Sequence, residues 1–182
     1  HATQNDCVLM LQTIFDKKKM PELTEQQCLA ATKYFNQDEL RMNSLTYLLP
    51  KSIDGRFVPN LLNQFHNEQN RLVVFERVYC LINYMNATAV EMMLDEFWSC
   101  DNAMEILTKC EKILSFSQIP CEHTRFLEML DKFKNTTHFE KAEQILHRMF
   151  DIKDDKYQQN GDTDDGIDIK HESTNASDDK KK

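Results

Sequence analysis

The stretch THFEKAEQILHRMF at residues 137–150 carries the signals that decide the fold class. Thr137 followed three residues later by Glu140 is a capping box, in which hydroxyl and carboxylate each satisfy a backbone N–H that a first helical turn leaves unpaired. Behind it Ala142, Ile145, Leu146 and Phe150 recur at helical spacing, so one stripe is apolar and turns inward. At Asp151 the composition changes abruptly. Residues 151–182 are rich in aspartate and nearly devoid of apolar side chains, and such a segment cannot bury enough surface to offset its ordering entropy. A helical domain over residues 1–150 and a disordered acidic tail over 151–182 are therefore expected.

The same grammar repeats upstream. Val8, Leu11, Ile14 and Phe15 share a stripe of a first helix, closed by Lys17, Lys18 and Lys19 near its negative end and by Pro21. Thr24 and Gln27 form a second box ahead of Cys28, Ala31 and Phe35, and Asp38 is placed to cap a helix that stops before Pro50. The longest apolar pattern runs from residue 60 to 85, with a break expected in its polar centre at 66–71. Thr88 and Glu91 make a third box, and Asp101 is placed to cap a helix carrying Ile106, Cys110 and Ile113. A further helix is expected over 123–134, with Phe126, Leu127 and Leu130. The pattern predicts an all-α, compact multi-helix bundle of about eight helices.

Composition excludes several classes of chemistry. In 182 residues there are 3 glycines, Gly55, Gly161 and Gly166. Phosphate loops, dinucleotide fingerprints and nucleophile elbows need several glycines close together, and none can be written here. A formal net charge of −8 supplies no positive field for a nucleic acid. Apolar runs are too short for a membrane span.

Six cysteines, Cys7, Cys28, Cys80, Cys100, Cys110 and Cys121, are even in number and contain no C-x-x-C pair. They point to three disulfides bracing the bundle in an oxidising compartment. Many pairings remain open; Cys100 and Cys121 flank one helix, and Cys110 faces the core and needs a partner such as Cys80. Glycosylation sequons at Asn86, Asn135 and Asn175 agree with a secreted, extracellular chain, as does a start at His1 without methionine.

Chemistry-bearing groups are sparse. Cys121 with His123, and Glu143 with His147, each supply two metal donors where zinc needs three or four. The tail run from Asp162 to Glu172 approaches a calcium loop but puts Gly161 where the first carboxylate belongs. His66 with Glu68, and His138 with Glu140, sit on polar helix faces, and Glu140 is accounted for by capping. No catalytic residue, metal or cofactor is expected. Met92, Met93, Phe97, Trp98 and Phe126 are candidates for lining a pocket for a small apolar or amine ligand. Tyr34, Phe57 and Tyr157 are candidate anchors for a protein partner.

Cysteines carried on helices, the segment Phe97-Trp-Ser-Cys100 and an acidic tail ending Asp178-Asp-Lys-Lys-Lys182 resemble the secreted, disulfide-stapled salivary effectors of blood-feeding flies, mosquitoes in particular. Odorant-binding-type salivary carriers are the nearest comparison, from which the chain departs: their second and third cysteines lie close together, whereas Cys28 and Cys80 are far apart. The resemblance implies a non-catalytic protein that binds a host or vector protein and acts on haemostasis or the immune response.

Overall fold

The computed structural model describes residues 3–114 and 118–153. Among them the chain is mostly helical. Helices α1 (Gln4–Asp16), α2 (Glu25–Lys33) and α3 (Asp38–Leu48) lead into α4 (Phe57–Leu62) and α5 (Glu68–Val78). Then follow α6 (Ala87–Asp95), α7 (Cys100–Ile113), α8 (His123–Asp131) and α9 (Phe139–Met149), so nine helices stand where about eight were expected. The long pattern from residue 60 does break, but at residues 63–67, ahead of the expected 66–71: α4 ends at Leu62 and α5 starts at Glu68, where Asn67 Oδ1 accepts from the Gln69 N–H, so the polar residues 68–71 form the first turn of α5.

The helical character is as expected, and among the described residues four short strands that the helix pattern did not signal accompany it. β1 (Ile53–Asp54) pairs in parallel with β2 (Ile82–Tyr84), and β3 (Ile119–Glu122) pairs in parallel with β4 (Phe150–Lys153). Both ladders join segments distant in sequence, which helix periodicity cannot signal. β4 also carries the ordered backbone three residues past Phe150, with Cys121 opposite Ile152. The tail beyond Lys153, with Tyr157, Asn175 and the calcium-like run, lies outside the described residues.

Four predicted starts move. Asp38 and Asp101 lie inside the first turns of α3 and α7, which begin after Gln37 and Ser99 with no side-chain cap. α6 is capped by Asn86, whose Oδ1 accepts from the Ala89 N–H at 2.8 Å, rather than by Thr88. α9 begins at Phe139 with no side-chain cap, because the Thr136 hydroxyl accepts from the His138 N–H and closes the preceding turn. The Thr24 and Gln27 box forms as expected, and a box at Thr3 and Asp6 opens α1.

The core runs through α4, whose Val58, Leu61 and Leu62 are fully buried, to α6, which packs on α4, α7 and α8. Phe57 belongs to this core and cannot anchor a partner. Glu68 is buried too, its carboxylate accepting the Ser99 N–H at the start of α7. At the periphery α1 packs on α3 and buries no residue completely.

No disulfide links any two of the six cysteines, so the bracing expected from their even count is not formed in this structure. Cys28 and Cys110 instead fill the apolar interior, while Cys80 faces solvent on the 3-10 turn Tyr79–Leu81. Burial pushes the Cys110 thiol up to about 12 and the Cys28 thiol up to about 11.

Candidate functional site

Residues 8–15 of α1, VLMLQTIF, are apolar around most of the helix. Cys7, Val8 and Leu11 turn towards the core, which leaves Leu9, Met10, Ile14 and Phe15 exposed. α1 thus presents one apolar face to the core and a second to solvent.

α1 is fastened at both ends. Gln4 Nε2 donates to the Tyr34 carbonyl at 2.9 Å, and Gln4 Oε1 accepts from the Asn36 N–H at 3.1 Å, tying its first turn to the end of α2. At its last turn the Phe15 ring meets the Tyr47 ring edge-on with centroids 5.4 Å apart. Between these fastenings α1 and α2 stand apart over a groove of about 430 Å³. Met10, Leu11 and Ile14 form one wall, Ala31, Tyr34 and Phe35 the other, with Leu48 completing the lining. The lining is almost wholly apolar. Cys7 and Tyr34 supply polar atoms at one end, where a hydrogen bond with the Cys7 sulfur holds the Tyr34 phenol above its usual range.

Two other cavities, each of about 380 Å³, are charged. Between α6 and α8, Glu91, Asp95 and Glu128 face Arg125 and Lys132. Burial raises the Glu91 carboxyl, as does its hydrogen bond with Glu128, against the pull of Arg125. Along α7, His138 Nε2 lies 2.6 Å from Asp101 Oδ1 beside Lys109, Lys112 and Lys141. A histidine oriented by a carboxylate suggests a base, but the nearby Thr108 hydroxyl donates to the Met104 carbonyl at 2.8 Å, the usual back-bond of a helical threonine.

The five predicted pocket-lining residues do not gather on one surface. Met93, Phe97 and Phe126 are packed into the core, whereas Met92 and Trp98 are exposed, Trp98 to 68%, with the Arg71 guanidinium 5.7 Å above its ring. Other predicted pairs are also parted: His66 turns to Asp38 while Glu68 serves Ser99, and His147 lies against the Phe126 ring at 4.8 Å. Among the described residues no group of three or more His, Cys, Asp or Glu could hold a metal ion, and no helix is long and apolar enough to cross a membrane. Tyr34, singled out as a surface aromatic, does stand in the groove wall. Met10 was overlooked, and the run of apolar residues on adjacent faces of α1 was the signal that could have found it.

The chain matches no family model, no curated protein and no solved structure.

Proposed function

We propose that this is a secreted, non-enzymatic binding protein that engages another protein through the face formed by α1 and α2. The observation that carries the reading is the open apolar groove beside a helix with Leu9, Met10, Ile14 and Phe15 exposed. A soluble chain keeps such a contiguous surface when a partner covers it. The resemblance supplies the setting: saliva of a blood-feeding fly, and a host protein of haemostasis or immunity as target. The test compares wild type with Leu9→Lys and Met10→Lys, both at exposed positions, as immobilised baits for plasma and tissue extract. A protein retained by wild type and lost by both variants at unchanged Tm supports the reading; equal retention by all three baits refutes it.

Secretion finds support at Asn135, which is exposed and left-handed (φ 61°) in the turn between α8 and α9, open to a glycosylating enzyme. Asn86 is half-buried with its side chain committed to capping α6. Expression through a secretory pathway should therefore load Asn135 more fully than Asn86, read by peptide mass mapping. The thiols of this structure are free, and alkylation of the secreted protein, with masses compared with and without reduction, reads their state directly.

A second reading, a carrier of a small apolar or amine ligand, draws on the same volume of about 430 Å³ and its apolar lining. Native mass spectrometry against fatty acids and biogenic amines separates the two.

A further inference from the structure

We infer that the groove receives an amphipathic α-helix of the partner whose first turn is acidic, laid antiparallel to α1; this rests on the protein-binding reading and specifies its partner. From Cys7 to Ile14 the groove follows α1 for about 10 Å, roughly two helical turns. That length suits a helix presenting apolar anchors at i, i+3 or i+4, and i+7. Its rims are open, with Met10 and Tyr34 each 58% exposed, as a chain laid in from the side requires.

The balance of charge sets the direction, with three lysines at the Ile14 end against one, Lys33 beside Tyr34, at the other. Lys17, Lys18 and Lys19 are pinned to the Ile14 end, where the Lys19 N–H donates to the Ile14 carbonyl at 3.1 Å and the Lys18 N–H to the Phe15 carbonyl at 2.8 Å. All three side chains are exposed, and none makes an ion pair among the described residues. Of the acids near them in sequence, Asp16 is adjacent and Glu22 is paired with Lys51. At the opposite end the acid of α1, Asp6, is engaged by the backbone and hydroxyl of Thr3 at 2.7 and 2.8 Å. Acidic residues in a partner helix stabilise its own N-terminus and meet the lysines when that N-terminus lies at the Ile14 end. The partner then opposes α1 in direction, which also sets the two helix dipoles antiparallel. A second copy docking through its own α1 fits less well, because the first turn of that helix offers only the already engaged Asp6. A purely apolar small molecule leaves the lysines without a role.

The experiment uses the full chain and three fluorescent peptides of about four turns with one leucine stripe: glutamates in the first turn, the same glutamates in the last turn, and lysines in the first turn. Wild type should prefer the first peptide by about tenfold over the other two. Replacing Lys17, Lys18 and Lys19 together by glutamate should invert the preference towards the lysine peptide, and Met10→Lys should weaken all binding. Equal affinity for the three peptides, an unchanged preference in the triple variant, or no binding at all overturns the inference. Loss of protein capture in Met10→Lys with capture unaffected by the lysine reversal would leave the protein-binding reading standing and remove the acidic helix. Concentration-dependent dimerisation abolished by Met10→Lys would assign the groove to a second copy instead.

Discussion

Gly55 shows how a single residue can be required without unusual backbone angles. A Cβ at this position would sit 2.9 Å from the Tyr84 carbonyl oxygen, which already accepts the Gly55 N–H at 2.7 Å where β1 meets β2. Because the obstacle is backbone, it cannot rotate away. Gly55→Ala should cost about 1–3 kcal/mol and lower Tm by several degrees in thermal unfolding. The thiols make a second residue-scale prediction. In the reduced protein, Cys80 should react quickly with iodoacetamide in the native state while Cys28 and Cys110 react only on unfolding. Below the ordinary thiol value of 9.0 these two groups are neutral in both folded and unfolded chains. Above it the unfolded chain ionises first, so stability is full below about pH 9 and declines as pH rises towards the folded values of about 11 and 12. Denaturant titrations at increasing pH should show this decline, and Cys110→Ala should lessen it.

At the scale of elements, legibility followed locality. Helix positions came from apolar residues at spacings of three and four, a record each segment carries within itself, and the break before Pro50 was equally local, whereas the break expected at 66–71 falls at 63–67. Starts were harder, since Asn86 and Thr88 are both competent caps two residues apart and only the geometry of the Ala89 N–H decides between them. The parallel ladders were invisible because their partners, Ile53 with Ile82 and Ile119 with Phe150, meet only after folding. The groove was half visible: Tyr34 could be named as an exposed aromatic, but whether Met10 faces core or solvent depends on where α3 sits. α1 has its own consequence. With no fully buried residue, it should open well below the global unfolding free energy. Hydrogen exchange should be faster in α1 than in α6 or α7, and a bound partner should slow exchange in α1 first.

At the scale of the whole molecule a core centred on α4 and α6 is surrounded by a more exposed periphery. Truncation tests where the body ends. Removing residues from Asp151 onward takes away most of β4, including Ile152 packed against the core, whereas removing residues from 154 onward leaves the ladder complete. The first deletion should therefore melt at a lower temperature than the second, compared by differential scanning calorimetry.

β4 enters its ladder as the last described segment of the chain, and its neighbour β3 continues directly into α8. The two strands run in the same direction, so tension on the C-terminus pulls β4 along β3 and loads the four paired positions together instead of opening them one at a time. Mechanically the ladder acts as a shear joint: the tail can be tugged, tethered or fused to cargo while the strain is shared across the whole joint before it reaches the helices that hold the groove.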